Sequence, residues 1–409
     1  MSETPAQVGR AKPGPRVGVP YLMIVTSVAV VTSTIYTPSL PSIAIDLETS
    51  ATLVQASLTA FIMTFGIVQL WHGPASDRLG RWRILAGSLV VFVAGTAACA
   101  LAPNIWILIA GRMLQGLGAA GVAVLPRAIA RDVFEQKDMA RVFTYLSMAA
   151  SFAATVAPLI GGALQGLTGS WRIGFVLLAL LSLWVLVLSF RRAPLLARGS
   201  VERPPGFAGY LADYVSLMRR PHFAFNVIGG GFIRASYFAF IGAVPFVLSN
   251  AFGTPAESIG LIMMALTLGF LCANFVVVRI ADRFRPESMV VFGTTICIFA
   301  PLAMALLALA GAGPVVGIAM PVAVFGFGNG FALPMVNALA VSADPKMAGA
   351  GSSLLGFWGY AMGAGGTLIA GFLAHETALP LSILLSVTTA LALVCFVIAW
   401  RSAPRPATA

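Results

Sequence analysis

Apolar runs of roughly twenty residues, separated by short polar segments, repeat along almost the whole chain. A helix that crosses a bilayer needs about 20 mostly apolar residues. Alternation at strand period is absent from the runs, which argues against a membrane barrel. The hydropathy pattern predicts twelve spans, at roughly 19–40, 52–73, 84–102, 105–126, 141–165, 172–190, 222–247, 257–278, 288–310, 314–337, 347–372 and 379–400. The chain then divides into a cytoplasmic tail (1–18), a six-helix bundle (19–190), a connector (191–221), a second six-helix bundle (222–401) and a closing tail (402–409). The first span lacks a small-residue cleavage site and is read as retained. Arg191, Arg192, Pro194, Pro204 and Pro205 mark the connector as a linker. Within it, Phe207, Tyr210, Leu211, Tyr214, Leu217 and Met218 share one helical face, predicting a short amphipathic helix on the inner membrane surface.

Charge adds a second pattern to this one. Residues 73–83 read Gly-Pro-Ala-Ser-Asp-Arg-Leu-Gly-Arg-Trp-Arg, a dense charged stretch between two apolar runs that predicts a tight turn at the membrane surface. A shorter echo, Ala281-Asp282-Arg283-Phe284-Arg285, follows another pair of runs, with Asp282 lying 205 residues after Asp77 in a chain of 409. The offset implies an internal duplication, each half carrying its charged turn after its second span. The composition, 59% hydrophobic and 10% charged, requires lipid as solvent. The net charge of +11 does not indicate nucleic acid, because the basic residues cluster in short loops. All of the 25 lysines and arginines except Arg112, Arg172 and Arg234 fall on one side of the predicted array. Positive residues mark cytoplasmic loops, so both termini are expected in the cytoplasm. The four cysteines lie inside apolar runs and read as packing residues, suggesting neither disulfide nor metal. A nucleotide-binding glycine loop, a metal cluster and a catalytic constellation are all absent, so neither an enzyme nor a cofactor is expected.

With twelve spans in two halves and this charged turn, the chain resembles the major facilitator superfamily over nearly its whole length. Residues 73–83 are similar to that superfamily's Gly-x-x-x-Asp-Arg-x-Gly-Arg-(Arg/Lys) signature, with Trp82 at the last position and Arg83 one step later. The resemblance implies two six-helix bundles rocking about a central site. Gly111-Arg112-Met113-Leu114-Gln115-Gly116 resembles the motif with a membrane-embedded arginine found in drug–proton antiporters. Ala157-Pro158-Leu159-Ile160-Gly161-Gly162 is similar to the antiporter motif of the fifth span. Arg127-Ala-Ile-Ala-Arg131-Asp132 and Tyr36-Thr-Pro38-Ser-Leu-Pro41 resemble the bicyclomycin/chloramphenicol-resistance (Bcr/CflA) branch. What this implies is proton-coupled export of small amphipathic compounds from the cytoplasmic membrane by a monomer, with a small-molecule substrate, protons and the bilayer as partners.

The resemblance assigns roles to particular residues. Gly73, Asp77, Arg78, Gly80 and Arg81, with Asp282 and Arg283, form a conformational latch between the halves. Arg112, Gln115 and Gly116 serve transport, and Pro158, Gly161 and Gly162 a gate. For the cavity wall the aromatic and amide residues within spans supply Tyr36, Tyr237, Asn274, Asn337, Trp358 and Tyr360, with Arg234 as an embedded charge. Gly359 and Gly363 mark a close helix contact. His72, His222 and His375 lie near span ends and read as solvated there. The branch commonly carries an acid shortly before the tyrosine of the first span, where this chain has Thr34. Since all fourteen acids fall at span ends or beyond, Asp132 is the nearest candidate for a proton carrier. Arg112 and Arg234 without embedded acids keep an organic-anion or metabolite transporter open beside drug export. A passive facilitator and a non-transporting membrane sensor also remain.

Overall fold

A computed structural model describes residues 18–192, 207–344, 347–373 and 375–402. The linker prolines at 194, 204 and 205, the first 17 residues and the last seven lie outside the described residues, as do the surroundings of Gly73 and the side chain of Asp77. The helices are α1 (Val19–Thr34), α2 (Leu40–Asp46), α3 (Ala51–Leu79), α4 (Arg81–Ala100), α5 (Ile105–Val133), α6 (Gln136–Thr168) and α7 (Arg172–Arg191). After the connector come α8 (Phe207–Met218), α9 (Pro221–Phe252), α10 (Ala256–Ile280), α11 (Pro286–Leu309), α12 (Met320–Ser342), α13 (Ala348–Gly371) and α14 (Leu379–Arg401). Eleven stretches of described helix are long and apolar enough to cross a membrane. The 24-residue α13, packed between α9 and α3, brings the array to twelve.

Several predicted boundaries move, each for a local reason. The first span is not one helix: it breaks over Tyr36–Pro38 and continues as α2 to Asp46. Pro38 has no N–H to give the carbonyl of Thr34, and the Thr37 hydroxyl donates to that carbonyl instead, at 2.7 Å. The charged stretch is mostly not a turn, because α3 runs through it to Leu79. The reversal falls on Gly80 alone, at φ +92°, a conformation open to glycine and strained for other residues. The fourth span does not end at Pro126, since α5 passes through that proline to Val133 and carries Arg127 and Arg131 on helix rather than in a loop. In the connector, Leu217 of α8 is buried, and Tyr214 and Met218 pack beside it on the second half.

The packing repeats between the halves. In the first, α3 packs on α5, α4 on α5 and α7, and α1 on α6. In the second, α10 packs on α12, α11 on α12 and α14, and α9 on α13. The halves meet along α3 with α13 and α6 with α10, again a symmetric pair. We call the end at which α1 starts and α14 stops the terminal end, and the opposite one the far end.

Candidate functional site

A cavity of about 400 Å³ lies between the halves, at mid-depth and towards the terminal end. Eight helices line it: α1, α3, α5 and α6 from the first half, α9, α10, α12 and α13 from the second. One wall is aromatic. Phe61 and Phe65 lie tilted at 6.0 Å, Phe65 meets Tyr360 at 4.6 Å, and Phe238 joins Tyr360 to Tyr237 at 5.9 and 5.3 Å. Gln69, Thr155, Thr267 and Asn329 add polar atoms, and Arg127 and Arg234 add charge. Apolar walls with a few convergent polar groups are the usual make-up of a small-molecule site.

The far end is sealed. The Thr52 hydroxyl donates to the Gly371 carbonyl at 2.6 Å, and Gln55 meets His375 at 3.0 Å. Beside them α6 and α10 touch backbone to backbone. A Cβ on Gly162 would lie 2.5 Å from the Ala256 carbonyl oxygen, and one on Gly260 would lie 2.5 Å from that of Pro158. The motif residues Pro158 and Gly162 therefore sit in the seam between halves, while Gly161 faces the first-span break at Ile35. Towards the terminal end the exposed Arg127 side chain lines the cavity.

Of the residues expected in the cavity wall, Arg234, Tyr237 and Tyr360 line it. Tyr36 does not. It is buried behind the wall, 5.4 Å from the Phe175 ring. Trp358 is turned aside as well, its indole packing over Gly231 of α9. Asn274 lies one helical turn beyond Phe270 and Asn337 one turn beyond Leu333, nearer the terminal end than the lining, and Asn337 spends its amide on the Leu333 carbonyl. The sequence reading missed Arg127, Gln69 and Asn329. The Arg127-x-x-x-Arg131 spacing fits one helical face, but the reading let Pro126 end the span.

Arg112 is fully buried and does not face the cavity. Its guanidinium lies between the rings of Tyr36 at 4.3 Å and Phe61 at 4.1 Å. Nη1 donates to the Thr32 carbonyl at 3.2 Å and to Gln115 Oε1 at 2.5 Å, and Gln115 Nε2 donates onward to the Thr96 hydroxyl at 2.9 Å. The helix of Gly116 comes close here, since a Cβ at that glycine would sit 2.6 Å from the Phe61 carbonyl. Arg112 thus joins the α1 break, α3, α4 and α5 from behind the Phe61 wall.

Asp132 does not reach the cavity either. It pairs with Arg81 at 2.8 Å, tying the first turn of α4 to the last of α5, and Arg81 also donates to the Ser76 hydroxyl at 2.5 Å. Both partners belong to the first half. Asp282 and Arg283 are exposed in the turn after α10, and Arg78 is exposed on the last turn of α3.

Two histidines expected at solvated positions are buried instead. His72 bonds the Val68 carbonyl and the Ser88 hydroxyl, both at 3.0 Å. His375 lies in the far-end seam, against the Phe246 ring at 5.3 Å, and Gln55 Nε2 donates to its Nε2. Burial lowers the His375 pKa below its ordinary 6.5, with a hydrogen bond to the Ala370 carbonyl working the other way. The lowered value means the seam excludes the charged ring. Its stability is complete above pH 6.5 and falls as pH drops through and below that value. Thermal melts at pH 7.5 and 5.5 are expected to show a larger acid loss for the wild type than for His375→Gln; parallel losses would remove His375 from the seam's pH response.

Residues 22–367 match the family described as the Major Facilitator Superfamily. The chain is 28% identical to "Multidrug resistance protein D" of Escherichia coli, covering 82% of this chain and 84% of the relative. It is 27% identical to a "Bicyclomycin resistance protein homolog" of Haemophilus influenzae, covering 85% and 86%. Among solved structures, a bacterial homolog of the human lysosomal transporter Spinster, in an inward-facing and unoccupied conformation, superposes with a TM-score of 0.74 at 16% identity over 95% of this chain and 98% of that one.

Proposed function

The chain belongs to the Major Facilitator Superfamily, and from that premise we propose that it exports small amphipathic, drug-like compounds across the cytoplasmic membrane by alternating access. The observation that carries this reading is the cavity between the halves, sealed at the far end and walled by Phe61, Phe65, Phe238 and Tyr360. Aromatic faces accept flat or greasy ring systems without demanding one hydrogen-bond pattern. The drug-resistance names of two relatives over most of their length support the same direction of transport. The terminal end is the cytoplasmic one in this proposal, as the distribution of lysine and arginine indicates, so the cavity faces inward. Export then requires the far-end contacts of Gly162, Gly260, Gln55 and His375 to part while the terminal ends close. Proton antiport supplies the drive for uncharged compounds. The Arg81–Asp132 pair acts in the latch by making the α3–α4 reversal move with α5.

The test is a drug-susceptibility panel in an efflux-deficient bacterial host. Expression of the chain is expected to raise tolerance at least fourfold to one or more amphipathic compounds, and an uncoupler is expected to abolish the gain. No gain for any compound, with the protein present in the membrane, would count against drug export.

A further inference from the structure

We propose that the cavity is selective for anionic amphipathic compounds, holding a carboxylate or comparable oxyanion between Arg127 and Arg234. This rests on the export reading and narrows its substrate class. Arg127 comes from α5 and Arg234 from α9, so one cation is contributed by each half. Among the described residues that line the cavity they are the charged ones, and neither aspartate nor glutamate accompanies them. Tyr360 lines the same cavity as Arg127 and stands beside Arg234, its ring centroid 5.5 Å from that guanidinium.

A guanidinium at membrane depth is costly unless it faces water or a counter-charge. Two around one small, mostly apolar cavity leave a site with excess positive charge, which an anion relieves and a cation aggravates. The planar guanidinium fork matches a carboxylate in geometry as well as in charge. Arg234 is moreover held in place. Its stem lies against α13 at Gly359, where a Cβ would run into Arg234 Cδ and fall 2.7 Å from Nε. The aromatic wall takes the body of the molecule, and the arginines take its acid.

Three carboxylates, nalidixate, fusidate and salicylate, each beside its methyl ester, provide the probes. Binding is read as thermal stabilisation of the purified full-length protein, and transport as uptake into everted membrane vesicles. At least one carboxylate is expected to bind tenfold or more tightly than its ester. Arg127→Gln and Arg234→Gln are each expected to lower its affinity at least tenfold without weakening the ester. Arg127→Lys and Arg234→Lys, which keep the charge, are expected to retain part of the affinity, separating loss of charge from loss of fold. Equal binding of acid and ester, unchanged carboxylate affinity in the glutamine variants, or no stabilisation by any of the three acids would overturn the proposal. Arginine-dependent binding without vesicle uptake would sustain the anion site and sink the export reading. Resistance to uncharged drugs without acid–ester discrimination would do the reverse.

Discussion

Gly162→Ala is expected to cut export at least tenfold while the protein still reaches the membrane at normal levels. The added methyl would stand 2.5 Å from the Ala256 carbonyl oxygen and 3.2 Å from its carbon, backbone atoms at the start of α10 that cannot swing away. Overpacking of this kind costs about 1–3 kcal/mol. The contact joins the two halves rather than two helices of one half, so the cost falls on the far-end-closed state and not on the fold of either bundle. A bias of about 2 kcal/mol shifts a two-state equilibrium by roughly 30-fold. A Thr52→Cys reporter in a cysteine-free background reads the result, because Thr52 is sealed against Gly371 when the far end is shut. Maleimide labelling of that cysteine is expected to accelerate in Gly162→Ala. Gly365→Ala is the control, since its Cβ would meet no atom within 4 Å. Unchanged labelling and unchanged export would show that the seam yields without consequence.

Arg112→Met is expected to abolish transport with little loss of stability, and that separation is the informative part. The guanidinium is fully buried, and its Nε and Nη2 lack hydrogen-bond partners among the described residues. Two ring contacts near 4 Å offset part of the burial cost, each worth up to about 2 kcal/mol when desolvated. Removing a buried charge that no carboxylate pairs relieves its desolvation cost, which offsets the hydrogen bonds to Thr32 and Gln115 that are lost with it. Methionine also fills irregular space between two aromatic rings. If Arg112 served packing alone, Arg112→Met would therefore transport normally. As a positioning residue it holds the Thr32 carbonyl, one turn before the α1 break, and keeps Phe61 in the cavity wall. Vesicle transport at matched membrane levels, with a melting curve on the same preparation, decides the matter. Normal transport by Arg112→Met would take Arg112 out of the mechanism.

The sequence was legible where a physical property accumulates along the chain. Apolar length counts residues against a fixed bilayer thickness, and so the twelve helices and their pairing into halves could be read from one dimension. The repeat of the charged stretch 205 residues later was likewise visible, and the packing of α3 with α5 and of α10 with α12 has the matching symmetry. Pro158 and Gly162, four residues apart in one motif, lie together in the seam because one turn of helix puts them there.

Facing was harder to read. Hydropathy barely distinguishes a helix side turned to lipid from one turned to another helix, because both are apolar. Tyr36 and Trp358 illustrate this: as aromatic residues within spans they qualified for the cavity, yet one lies behind Arg112 and the other over Gly231. Arg127 shows the opposite error. A proline beside it read as a helix end, while in the folded chain α5 continues past Pro126 and delivers the arginine to the cavity.

What the sequence determined by itself, then, was the solvent, the number of helices, the duplication and the family, since each depends on composition, length or adjacent residues. What only the tertiary structure decided was which charges share the cavity. Arg112 and Arg234 both read as embedded arginines, but Arg112 spends its guanidinium on Thr32, Gln115 and two rings, while Arg127 comes to the cavity from the end of the same helix. The choice depends on the rotation of α5 about its axis and on the packing of one half against the other. Both are set by contacts between residues far apart in the chain, which no local pattern encodes.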